Sequence, residues 1–491
     1  MSADLYFAGK VRISADLERR GAKLAGGMAA LGLLEGDVVA VLLRNAPIYA
    51  DIIIACRMAG VYYCPINWHF APPEIAFLLR DSAARLLIGD ADLLAAATDA
   101  VPVGVRLMAA GVDYETWLER QSPYCGPVVP PRGHMAYTSG TTGRPKGVRR
   151  QAGPMAGQKA AQDVADALVR ATFGVAPGGR ALLSAPIYHS APSLFAQSAL
   201  RLAERLVLMP SFDAEETLVM IEAHRIDTVY LVPIMYSRLL ALPASVRSRY
   251  DVSSLRFVAS TGAPCAPDLK RAMIEWLGPV IHETYASSET GMITVINAEE
   301  ARARPGSAGR PVLDASVRIL RQTGEACATG EIGLIYVRQP AVADFSYHNL
   351  PDARSAMEKD GHVTLGDMGY LDDDGYLFIC DRASDMVISG GVNIYPSEVE
   401  NALLKNDAVV DCAVFGVPNA EYGESLHAVI QLRPGSLLQA QDLIAGLKGQ
   451  LAGFKIPRTT EFIDIMPRDA NGKLAKRVLR AAHWASSGRQ I

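Results

Sequence analysis

The densest chemistry in the chain lies between Tyr137 and Val148, which read Tyr-Thr-Ser-Gly-Thr-Thr-Gly-Arg-Pro-Lys-Gly-Val. Thr138, Ser139, Thr141 and Thr142 surround Gly140 and Gly143, and Lys146 follows. Glycines let backbone N–H groups turn toward an anion, and hydroxyls add donors. A hydrogen bond to a charged acceptor contributes about 1.5–3 kcal/mol. Lys146 adds a compact positive charge. A polar exposed turn is the bland alternative, but a run this long favours a phosphate loop. It is not a Walker A loop, because Pro145 precedes Lys146 and Gly147 follows it where that motif needs Gly and then Ser or Thr.

This run resembles the signature loop of the adenylate-forming superfamily, which includes acyl-CoA synthetases, luciferases and peptide-synthetase adenylation domains. The resemblance covers nearly the whole chain, because further motifs recur in the family's order. Ala185-Pro-Ile-Tyr-His-Ser-Ala-Pro192 resembles the segment beside the acyl pocket. It implies that His189 sits near the substrate carboxylate and that Ala191 and Phe195 line the pocket, with Thr261, Gly262 and Ala286. Ser260-Thr-Gly-Ala-Pro264 resembles the stretch that packs on adenine, implicating Gly262, Ala263 and Pro264. Glu283-Thr-Tyr-Ala-Ser-Ser-Glu-Thr-Gly291 resembles the Y-G-x-T-E motif. It implies adenine stacking on Tyr285 flanked by Glu283 and Thr284, α-phosphate contact at Ser288, and Mg2+ held by Glu289 and Thr138. Ala286 and Ser288 depart from the usual Gly and Thr; the extra methyl shortens the acyl pocket and the serine keeps the hydroxyl.

Gly366-Asp-Met-Gly-Tyr-Leu-Asp-Asp-Asp-Gly-Tyr376 resembles the ribose motif, with Asp367 accepting from both hydroxyls, with Asp372–Asp374 as a solvated acidic turn, and with Ile379 and Arg382 on the nucleotide. Ser384 aligns with the family's hinge residue, where Asp or Lys is usual. Ser389, Gly390 and Gly391 would flank the pantetheine arm of coenzyme A. Pro467-Arg-Asp-Ala-Asn-Gly-Lys473 resembles the C-terminal lysine loop, making Lys473 the catalytic residue of the first half-reaction, with Lys146, His189 and Glu289 beside it. The implied activity is that of an ATP- and Mg2+-dependent carboxylic acid–CoA ligase. It forms an acyl-AMP with loss of pyrophosphate, then a thioester, on a fatty, aryl or alicyclic acid.

The elements that must position these residues are short apolar runs alternating with helical patterns. Val38–Leu43, Ala181–Ala185, Leu206–Met209, Thr228–Val232 and Leu255–Ala259 read as buried strands. Ser14–Leu31 and Ala214–His224 read as amphipathic helices. The alternation predicts an α/β fold with largely parallel sheets. From about Ser316, Ala315–Leu320 and Ile332–Val337 predict strands without intervening helices, a smaller β-rich subdomain. After strand Tyr376–Cys380, Ser397-Glu-Val-Glu400 reads as a capping box. Strands Val409–Val417, Leu426–Leu432 and Thr460–Met466 and a helix Asp442–Leu451 follow. The expected organisation is a large N-terminal domain of layered α/β subdomains plus the β-rich part over 1–381. A small mobile C-terminal α+β domain covers 382–491.

Of the 491 residues, 50% are hydrophobic and 20% charged, and the net charge is -4, so no basic surplus favours a nucleic-acid partner. The seven cysteines include no C-x-x-C pair and imply reduced thiols in a cytoplasmic protein. No apolar run reaches a membrane span; Ile52–Ile66 comes nearest and Arg57 interrupts it. No G-x-S-x-G elbow supports hydrolase chemistry. An Asp that would hold an α-amino group is missing near His189 and Ser190, which disfavours amino-acid substrates. An amide synthetase with an amine acceptor, or a nucleotide-binding regulator without catalysis, are the rival readings. The small-molecule acid, ATP and coenzyme A are the expected partners; oligomeric state, a homodimer included, stays open, and fatty acid metabolism is one setting for such an enzyme.

Overall fold

Parallel strands with both faces covered account for the apolar runs. The computed structural model describes residues 3–138, 145–468 and 474–484. Met1–Val317 with Val337–Val363 form one compact unit, and Arg318–Tyr336 with Thr364–Ile491 a second. This division groups 318–336 and 364–381 with the C-terminal residues, whereas the sequence sets the boundary at 381/382.

The first unit holds two parallel arrays. Tyr62–Pro65, Val38–Leu42, Ala84–Gly89 and Arg106–Ala109 form a four-stranded sheet in that order, parallel throughout. Every residue of Val38–Leu42 is buried, as expected where helices cover both faces. A nine-stranded sheet has a parallel centre in the order Ile281–Ser287, Phe257–Ser260, Thr228–Leu231, Arg180–Leu183, Arg205–Leu208 and Asp4–Phe7. Antiparallel strands Gly291–Asn297 and Lys10–Arg12 flank it.

Helix Ser14–Ala30 buries Leu17, Leu24 and Met28, the positions its periodicity marks. It crosses helix Ile48–Ala59 closely at Gly21, where an added Cβ would stand 2.4 Å from Ile54 Cγ2. The apolar stretch Ile52–Ile66 is two elements: the end of that helix and the whole strand Tyr62–Pro65, separated by Gly60 and Val61. No helix among the described residues is long and apolar enough to cross a membrane.

The expected β-rich segment is present as strands Ser316–Leu320, Gly333–Arg338, His362–Leu371 and Leu377–Arg382 of one five-stranded sheet. Within the second unit, Val409–Asn419 and Gly423–Leu432 pair antiparallel, and Thr459–Phe462 adds in parallel. The capping-box reading of Ser397 and Glu400 is corrected. Helix Pro396–Leu403 starts after Tyr395 with Pro396 in its first turn and has no side-chain cap. Ser397 instead donates to the Cys380 carbonyl, and Glu400 accepts from Val414 N and pairs with Lys476 at 2.7 Å. Tertiary partners outcompete the local cap. All seven cysteines are free thiols, and Cys56, Cys64, Cys265 and Cys412 are buried.

Candidate active site

In open α/β sheets the loops after the carboxyl ends of parallel strands carry ligands. Three of the sequence-selected segments occupy such loops in the nine-stranded sheet. Segment 185–189 follows strand Arg180–Leu183, segment 261–264 follows Phe257–Ser260, and Ser288 and Glu289 follow Ile281–Ser287. Ser260 pairs in register with Glu283, so segment 261–264 leaves the sheet beside strand Ile281–Ser287. Thr261 is buried, whereas Gly262, Ala263 and Pro264 are exposed.

Glu289 is the focus of this half. It is 7% exposed. Its Oε1 accepts from Thr138 Oγ1 at 3.1 Å and from Tyr347 Oη at 3.0 Å. Both donors come from the three-stranded antiparallel sheet of Ala136–Thr138, Lys146–Arg150 and Phe345–Tyr347. Burial, and then the Glu289 carboxylate, push the Tyr347 phenol well up. Arg150 fixes the turn, donating to the Ser288 and Glu289 carbonyls at 2.8 and 2.9 Å. Burial holds its guanidinium down to about 10 despite Glu289. Lys146 Nζ stands 5.2 Å from the centre of the Tyr347 ring. Thr138 and Glu289 offer oxygen ligands only, which fits a hard cation such as Mg2+.

The other predicted positions are more varied. Glu283 pairs with Lys270 at 2.6 Å, both nearly buried; burial raises the carboxyl and Lys270 opposes it. Thr284 donates to the Thr172 carbonyl. Tyr285 and Ala286, both half-buried, flank a bulge against Gly291–Asn297. His189 precedes helix Ser190–Leu202 without a side-chain cap, and its ring lies 4.4 Å from that of Tyr188. Ala191 is half-buried, whereas Phe195 is fully buried among Phe173 and Tyr230.

In the second unit Asp367 lies opposite Arg382 in register, with Arg382 Nε 3.4 Å from Asp367 Oδ1. Ile379 faces Gly369 on the same ladder. Asp372 Oδ1 accepts from Asp374 N and Tyr376 N, which closes a turn. Ser384 is exposed, and its carbonyl accepts from Arg480. Ser389, Gly390 and Gly391 make the hairpin between Val387–Ser389 and Val392–Ile394. Gly390 and Gly391 have φ of +57° and +80°, a turn that side chains resist. Ser139, Gly140, Thr141, Thr142, Gly143 and Lys473 lie outside the described residues.

Three positioning residues escaped the sequence reading. Tyr347 shares Glu289 with Thr138, and Arg150 pins the 288–289 turn. Asn45, buried, donates to the Ala185 and Met209 carbonyls at 3.0 and 3.1 Å and accepts from Ile187 N at 2.9 Å. It thereby fixes segment 185–189. Its signal was available: a polar side chain just past the buried strand Val38–Leu42.

The profile of the AMP-binding enzyme family matches residues 9–346, and that of its C-terminal domain matches 398–473. The chain belongs to this adenylate-forming family. It is 35% identical over 468 residues to a feruloyl-CoA synthase of an Amycolatopsis species, covering 95% of this chain and 93% of that one. It is 33% identical over 477 residues to an indoleacetate–CoA ligase of Aromatoleum aromaticum, covering 92% and 90%. The amide bond synthetase McbA of Marinactinospora thermotolerans superposes with a TM-score of 0.85 at 27% identity, covering 98% and 97%. Within the family, the chain is an AMP-forming ligase.

Proposed function

We propose that this AMP-binding enzyme activates a hydrophobic carboxylic acid, with arylalkyl and arylalkenyl acids favoured over fatty and alicyclic ones, and transfers it to coenzyme A. The observation that carries the reading is Glu289, held by hydroxyls from Thr138 and Tyr347 at the end of a parallel strand. The aryl preference draws support from the acids named for the feruloyl and indoleacetate relatives. The pocket candidates His189, Ala191, Phe195, Thr261 and Ala286 include no fixed cation.

In the first step a carboxylate oxygen attacks the α-phosphorus of ATP, and the bond to the bridging oxygen breaks as pyrophosphate leaves. Two unit charges about 4 Å apart repel by about 4 kcal/mol at an effective dielectric near 20. The phosphate loop with Lys146, and Lys473 from the C-terminal segment, offset that repulsion and the charge that grows on phosphate. Thr138 and Glu289 would hold Mg2+, which would neutralise charge on the phosphate oxygens. Tyr285 and Gly262–Pro264 receive adenine, and Asp367 with Arg382 the ribose. In the second step the thiol sulfur of coenzyme A attacks the acyl carbon, AMP leaves and the thiol proton is lost. Residues 382–491 act as the mobile domain that exchanges Lys473 for the Ser389–Gly391 hairpin, with Ser384 at the hinge.

An amide product is the second reading, favoured by the likeness to McbA. Pyrophosphate release is measured with ATP, Mg2+ and aryl, indolyl, fatty and alicyclic acids, with and without coenzyme A. Thioester formation on the aryl members supports the proposal. Turnover that needs an amine instead of coenzyme A moves the acceptor, and preference for a short polar acid overturns the pocket reading.

A further inference from the structure

The C-terminal unit carries a group of metal-ligating side chains that none of this chemistry uses. His427 lies on strand Gly423–Leu432 and Glu461 on Thr459–Phe462. The two strands run parallel with His427 opposite Thr459, so Glu461, two residues on, shares that face. His483 comes from helix Lys476–Trp484, whose Trp484 indole donates to the Gly416 carbonyl at 2.9 Å and ties the helix to the neighbouring strand.

One ligand atom from each of His427, Glu461 and His483 lies within 4.8 Å of the others, the one such group among the described residues. The His427 and His483 ring centres are 4.6 Å apart. His427 is 5% exposed. Its Nδ1 is bonded to Thr459 Oγ1 at 2.7 Å. Its Nε2 is buried with no hydrogen-bond partner, and Glu461 Oε2 stands 3.8 Å away. A buried imidazole nitrogen left unmet calls for an explanation, and an ion at that point supplies one. The Thr459 bond is the outer contact that fixes ring orientation in metal-bound histidines.

We propose that His427, His483 and Glu461 bind one divalent transition ion of the zinc type, with water completing a tetrahedron. In such a site, ligand atoms about 2.0–2.1 Å from the ion lie roughly 3.4 Å apart. The Nε2–Oε2 separation of 3.8 Å therefore needs little closure. The Glu461 side chain is 53% exposed and free to turn inward. Two imidazoles select zinc, cobalt or nickel over magnesium, so this ion differs from the one serving ATP. It would clamp helix Lys476–Trp484, which begins three residues after Lys473, onto the strands beneath.

The test uses the full chain without a histidine tag, stripped with chelator and dialysed against Zn2+ alone, with bound metal counted by mass spectrometry. One ion per chain is expected, and Co2+ in its place should give the intense visible bands of a tetrahedral complex. His483→Ala and Glu461→Gln, both at partly exposed positions, should each weaken Zn2+ binding about tenfold or more with unchanged circular dichroism. His483→Cys should restore it. A Cys125→Ser control removes the exposed thiol. Substoichiometric uptake by the wild type, or undiminished affinity in His483→Ala, overturns the proposal.

Discussion

Replacing Asn45 by alanine tests how the acyl-side segment is held. The buried amide makes three hydrogen bonds, two to carbonyls of Ala185 and Met209 and one from Ile187 N. Each is worth about 0.5–1.5 kcal/mol net, and the groups left behind are buried, so the loss is about 3 kcal/mol. In a unit of this size that corresponds to a fall in Tm of roughly 5 °C. Because Ile187 lies two residues before His189, the KM for the acid should rise more than the KM for ATP. Asn45→Asp should be worse, since it turns an anion toward two carbonyl oxygens. Arg44→Ala is the control: its pairs with Asp90 and Asp92 are exposed, and such pairs are worth about 0–1 kcal/mol. Denaturant unfolding and steady-state kinetics report both effects. An Asn45→Ala protein within about 0.5 kcal/mol of wild type, with both KM values unchanged, refutes the reasoning.

Other outcomes follow from the same geometry. Glu289→Gln keeps an acceptor for Thr138 and Tyr347 but removes the charge; acid-dependent pyrophosphate release should fall about a hundredfold while the fold, read by circular dichroism, persists. Tyr347→Phe removes one donor to that carboxylate, and kcat should fall about tenfold with a higher Mg2+ requirement in a metal titration. Lys473→Ala should suppress adenylate formation yet leave thioester formation from synthetic adenylate, assayed separately; equal loss of both would contradict the domain exchange. His134, bonded to Ser190 Oγ at 2.8 Å, has its pKa lowered to about 4, first by burial and then by Arg150. The unfolded chain binds a proton below about pH 6.5 that the folded chain refuses, so stability is full above 6.5 and declines as pH falls toward 4. The loss is about 2 kcal/mol for this half-buried residue, and His134→Gln should flatten the unfolding profile by that amount.

What the sequence reveals depends on where each residue finds its partner. Val38–Leu42 and residues 181–183 are legible because strand residues buried on both faces are apolar. Helix Ile48–Ala59 is not, because ten of its twelve residues are buried and no polar face marks its period. Ser397 and Glu400 have cap spacing, yet Cys380, Val414 and Lys476 claim them. The same holds at the site. Glu289 and Thr138 stand out by motif, but Tyr347 and Arg150 act through contacts 58 and 139 residues away along the chain. The zinc-type group joins three elements whose ligands share no sequence spacing, so only the strand register brings His427 and Glu461 to one face.

The most direct measurement of the central claim follows oxygen. An aryl acid labelled with 18O in its carboxylate is turned over with ATP, Mg2+ and coenzyme A, and the nucleotide product is analysed by mass spectrometry. Attack of the carboxylate on the α-phosphorus predicts AMP carrying one 18O atom and unlabelled pyrophosphate. Formation of ADP, or label in inorganic phosphate with none in AMP, would contradict adenylation by this chain.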